Sequence, residues 1–104
     1  MNGLERKTRM KSSVATVATE NASRYLQQLC KHWGHSFTVT FNEQRGTIDF
    51  TDGQTVELAA AEKFLEITIL DEKGKRISDL EKVVADHLLR FAHKEQLNIE
   101  WVAR

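Results

Sequence analysis

Histidine, cysteine and tyrosine side chains carry most of the reactive potential of this 104-residue chain, which holds four histidines, one cysteine and one tyrosine. His87 is the most informative of them. At helical spacing it falls inside an apolar stripe formed by Leu80, Val84, Leu88 and Phe91, so its ring is expected to point toward the core. Two assignments are open for such a ring. It is either a neutral core imidazole hydrogen-bonded to backbone or to Tyr25, or a ligand or proton-transfer group. His32 lies at the edge of an earlier helical stripe, beside Tyr25 and Leu29. Two helices covering one sheet face would therefore bring His32 toward His87.

Two imidazoles amount to half of a tetrahedral metal site. The run from Cys30 to His35 looks ligand-rich, but on a helix Cys30 and His32 point roughly 200° apart and cannot share an ion. His32 and His35 converge only if the helix continues past Gly34, a residue suited to ending it in a left-handed turn. Cys30 reads as a small hydrophobe at the helix edge, with no nearby base to make it a nucleophile. His32 and His87 remain the candidate metal ligands, and the identity of any metal or cofactor stays open.

The remaining signals exclude more than they suggest. Asp71 with Glu72 reads as a turn, and Asp49 across from Glu57 as a solvated sheet face. Neither is a setting for raised carboxyl pKa values. Gly46, Gly53 and Gly74 read as isolated turn glycines, and no phosphate-cradling glycine loop occurs. Trp33 and Trp101 have apolar neighbours and read as core. Charges balance at 15 basic and 15 acidic. Residues 1–11 hold Arg6, Lys7, Arg9 and Lys11 against Glu5, which leaves the rest mildly acidic, the wrong sign for binding nucleic acid through phosphates. No stretch is apolar enough to cross a membrane as a helix, and no apolar signal segment follows the basic start. A lone cysteine removes any dependence on an oxidising compartment, so a cytoplasmic location is expected.

Period-two and helical patterns supply the scaffold. Residues 1–11 are expected to be a flexible basic tail and residues 12–104 a single α+β domain. Val14–Thr19 reads as a strand, with its inward face open between Val14/Thr16 and Ala15/Val17. Glu20–Trp33 reads as a helix capped by Thr19 or Asn21. Strict alternation predicts strands at Phe37–Phe41, Thr47–Phe50, Thr55–Leu58 and Leu65–Ile69, with Asp52-Gly53 as a tight hairpin turn. Ser78-Asp79-Leu80-Glu81 has the form of a capping box opening a second helix that runs to about Lys94. Leu97, Ile99 and Trp101 then alternate as a closing strand. The order β-α-β-β-β-β-α-β predicts a two-layer α+β sandwich, in which two helices cover one face of a mainly antiparallel sheet of about six strands. Thr38, Thr40, Thr47, Asp49, Thr55, Glu57, Glu66, Thr68, Asn98 and Glu100 would line its polar open face.

Two stretches, RYLQQLCKHWG (Arg24–Gly34) and HLLRFAHKEQLNIEW (His87–Trp101), resemble the small bacterial family catalogued as domain of unknown function 2218. The resemblance covers most of residues 14–101, and the basic extension Met1–Lys11 departs from it. It implies a candidate ligand site of Tyr25, His32, His87 and Arg90. Arg90, off the apolar stripe and three residues after His87, reads as a solvated surface charge, or as a clamp on a carboxylate where the chain folds over it. It also implies an association with iron or siderophore handling, and no established enzymatic activity. The combined expectation is a non-enzymatic accessory protein that binds a small molecule or metal ion. The alternative is an interaction module or homodimer, joined through the threonine-rich sheet face or an edge strand, whose histidines are structural. An enzyme ranks third, because no nucleophile, oxyanion hole or cofactor motif can be placed.

Overall fold

Alternating apolar residues in consecutive segments have one economical solution, a sheet with one face buried. The computed structural model describes residues 11–104. These residues form β1 (Lys11–Ala18), α1 (Ala22–Trp33), β2 (Thr38–Phe41), β3 (Arg45–Thr51), β4 (Gln54–Ala60), β5 (Phe64–Asp71), α2 (Ile77–Phe91) and β6 (Val102–Ala103). The strands make one sheet in the order β2-β3-β4-β5-β1-β6, and all its pairs are antiparallel. The fold is α+β, consistent with a two-layer sandwich. Apart from Lys11, which opens β1, the expected basic tail lies outside the described residues.

Register decides which side chains meet the helices. The row Val39, Ile48, Val56, Ile69 and Ser13 and the row Phe41, Gly46, Leu58, Ile67 and Ala15 both face inward. Ala15 and Val17 are fully buried, which settles the facing of β1. Against these rows α1 places Tyr25, Leu26, Leu29, Cys30 and Trp33, and α2 places Leu80, Val84 and Leu88. Apolar burial of this kind stabilises by about 25 cal/mol per Å² and is the main force holding the two layers together. On the other face Thr38, Thr40, Thr47, Asp49 and Glu57 are exposed.

Asp52-Gly53 makes the expected tight turn, both residues having positive φ (55° and 79°). Gly46 departs from its expected place in a turn. It lies within β3, where a Cβ would stand 2.6 Å from the Cys30 sulfur, so the missing side chain is what lets α1 approach the sheet. Cys30 is accordingly a core residue, and burial pushes its thiol up to about 11. Gly34 does not turn left-handed (φ −63°). The backbone continues instead into a tight turn in which the Phe37 N–H bonds the Trp33 carbonyl. Asp49 lies across from Thr55, while Glu57 lies across from Thr47.

Two further expectations are corrected near the second helix. α2 starts at Ile77, one residue before Ser78, so the capping box does not form. The fully buried Asp71 carboxylate accepts the Lys73 and Arg76 N–H groups, fixing the turn that leads into α2. Glu81 instead accepts the Ser13 hydroxyl at 2.6 Å, tying α2 to β1. The expected closing strand over Leu97–Trp101 is an unpaired extended segment, and only Val102–Ala103 pairs with β1. Leu97, Ile99 and Trp101 still pack against the core, so their alternation reports facing rather than strand pairing. Asn98 and Glu100 therefore lie off the sheet face predicted to carry them.

Candidate functional site

α1 and α2 lie side by side on the sheet, and the candidate residues lie along their junction. His32 follows the buried Leu29 by three residues and precedes the buried Trp33 by one, so it leaves α1 at the edge of the buried stripe and is exposed. His87 leaves α2 at the corresponding edge and is half-buried rather than within the core. Their ring centroids stand 5.0 Å apart, tilted by 46°. Trp33 lies 4.9 Å from the His87 ring and Phe91 6.0 Å from the His32 ring, centroid to centroid. Trp33 in turn packs edge-on against Phe50, and Phe50 against Phe37. An aromatic wall thus supports the imidazole pair from below.

The hydrogen bonding of His87 determines its tautomer. Its Nδ1 lies 2.7 Å from the Val83 carbonyl oxygen, which can only accept, so Nδ1 carries the proton. In the neutral ring this tautomer puts the lone pair on Nε2, the arrangement that a metal-binding imidazole commonly has when its other nitrogen donates to backbone. Partial desolvation, followed by the positive potential of His87, His35 and Arg90, holds the pKa of His32 below the ordinary 6.5. Its ring therefore favours the neutral, ligating form. Arg90 is exposed on the rim of this pair.

Tyr25 has a different role. Its hydroxyl donates to the carboxylate of Glu95, in the turn behind α2, and not to His87. Glu95 also accepts from Thr19 Oγ1 at 3.0 Å and from Asn21 Nδ2 at 2.8 Å. The Tyr25 hydroxyl bond, then those of Asn21 and Thr19, hold the Glu95 carboxyl below its usual value. Burial, then the adjacent carboxylate, raises Tyr25 above 10.0. Sequence reasoning missed Glu95. The available signal was the need of a buried tyrosine hydroxyl for an acceptor.

Among the described residues no group of three or more His, Cys, Asp or Glu side chains is placed to hold a metal ion. Two imidazoles facing each other across a helix junction can take an ion that fills its remaining positions with water or a second molecule. No helix among the described residues is long and apolar enough to cross a membrane.

Comparison with known proteins agrees with this fold. The NMR structure of PA4090 from Pseudomonas aeruginosa is 40% identical and superposes with a TM-score of 0.73, over 88% of this chain and 94% of that one. No curated protein matches the chain. The family described as uncharacterized protein conserved in bacteria, DUF2218, matches residues 14–102, and the chain belongs to that family.

Proposed function

We propose that this protein binds a divalent transition metal ion through His32 and His87 and acts as an accessory binding protein rather than a catalyst. The observation that carries the reading is the imidazole pair with its centroids 5.0 Å apart and the His87 tautomer directed by Val83. With metal–nitrogen distances of about 2.0 Å and a tetrahedral angle, two imidazoles on one ion have centroids about 5 Å apart. Imidazole suits zinc and iron alike, and a role in iron handling is the finer form of the proposal. Arg90 would hold an anionic group on a molecule bound to the ion, and the reduced cytoplasm is the proposed location. Tyr25, engaged with Glu95, supports α1 from outside the ligand shell.

Titrating the ¹⁵N-labelled protein with zinc and with ferrous iron tests this reading. Saturable shifts of the His32 and His87 ring nitrogens are expected. Rings that stay unmoved to millimolar metal would sink it. A second reading, an interaction module with structural histidines, draws on β2, an edge strand on which Phe41 is 40% exposed. It predicts metal-independent self-association in sedimentation runs, abolished by Phe41→Lys.

A further inference from the structure

Gln28 lies on α1 three residues after Tyr25 and four before His32, on the same flank of the helix as both. That flank faces α2 and the turn behind it, because His32 meets His87 and Phe91 while Tyr25 meets Glu95. The contacts run in opposite order along the two segments. The helices are therefore antiparallel here, and Gln28 falls opposite the stretch around Phe91. Its side-chain Oε1 is buried and is the one such side-chain atom without a hydrogen-bond partner among the described residues. An orphaned buried acceptor costs about 1–3 kcal/mol, and one kept a helical turn from His32, on the flank that meets α2, calls for a donor that arrives with a ligand.

We propose that Gln28 is the third member of the His32–His87 site, its Oε1 accepting a hydrogen bond from a water molecule carried by the bound metal ion. This rests on the metal-binding reading of the histidine pair. Two imidazoles leave positions on a tetrahedral ion to be filled by water. The ion's charge makes that water a stronger donor than bulk water. An amide oxygen one helical turn from His32 supplies the acceptor without adding charge, and it has no competing partner among the described residues.

Gln28→Leu removes the acceptor and keeps the side chain's bulk. Its melting temperature without metal is expected to equal or exceed the wild type's, because an unpaired polar atom has been removed. Its zinc dissociation constant, measured by isothermal titration calorimetry, is expected to rise about tenfold, the lower end of the range for partners of metal-bound groups. Gln28→Glu restores an acceptor and should bind zinc at least as tightly as the wild type. A Gln28→Leu protein that binds zinc like the wild type overturns the inference and leaves the histidine reading standing. One that melts well below the wild type shows that the amide has a partner within the fold, and overturns it too. A wild type that takes up no zinc overturns both.

Discussion

The α1–α2 junction has two ends built from similar side chains and finished in opposite ways. At one end Glu95 gathers Thr19, Asn21 and Tyr25, so both carboxylate oxygens are engaged. At the other, His87 spends one nitrogen on Val83, and among the described residues no hydrogen bond satisfies His32. A polar cluster that satisfies itself holds the fold together. One that leaves lone pairs free beside an aromatic wall has capacity to spare for something outside the chain. The difference separates the two roles more sharply than residue type does, since tyrosine and histidine are both common in sites.

That contrast can be broken by substitution. Glu95→Ala removes the acceptor shared by Thr19, Asn21 and Tyr25, with an expected loss of about 2–3 kcal/mol. Thermal unfolding followed by circular dichroism should then show a melting temperature lower by roughly 10–20 °C. A drop of only a degree or two would mean that the network does not clamp the fold. Tyr25→Phe keeps the ring and loses one bond, so about 1 kcal/mol is expected in urea unfolding.

Acidity separates the two ends further. The Glu95 carboxyl is held below 4.5, so its contribution is complete above that pH and is lost as pH falls through the lower folded value. Tyr25, raised above 10.0, contributes below that pH and loses its contribution as pH rises through the raised value. Glu95→Gln should therefore flatten the acid limb of the stability profile, and an unchanged limb would place the acid sensitivity elsewhere. His32 is depressed below 6.5, so its contribution is present above that value and fades as pH falls through the folded pKa. The smallest effect is expected from His32→Gln, within about 0.5 kcal/mol of the wild type because the residue is exposed. Its zinc-induced shift at the His87 ring should nevertheless vanish. A large stability loss in this variant would move His32 to the structural side of the comparison.

Much of the scaffold was legible because the buried rows recur at strand and helix periods. Ile48 with Phe50, Val56 with Leu58, and Leu65, Ile67 and Ile69 each announced a strand, and Asp52-Gly53 announced the turn joining two of them. The approach of His32 to His87 was readable as well, since His32 sits at the edge of one stripe, His87 falls within the other, and both stripes must cover one sheet face; that His87 leaves α2 at the stripe's edge was not. What failed were features set by partners distant in the chain. The turn that leads into α2 belongs to Asp71, beyond the reach of a local capping motif. The space at Gly46 belongs to Cys30, on another element. Leu97, Ile99 and Trp101 alternate because one side of an extended chain is buried, and that pattern carries no information about whether a neighbouring strand pairs with it. Glu95 went unseen because a carboxylate near the end of an amphipathic helix reads as surface until the tyrosine facing it is known.

The position of β1 sets an order of assembly. It precedes every other described element in the chain, yet it pairs with β5, Lys11 against Asp71 and Ala18 against Phe64. Each of those pairings closes a loop containing α1 and the hairpins from β2 to β4, whereas those hairpins close over a few residues each. Loop closure of this length is slow beside hairpin formation. During synthesis the first strand must wait, with Ala15 and Val17 uncovered, until β5 has been made. α2 follows β5, so the His32–His87 pair can come together only after this slowest closure has its template, and a nascent chain halted before Asp71 would hold one histidine of the pair without the other.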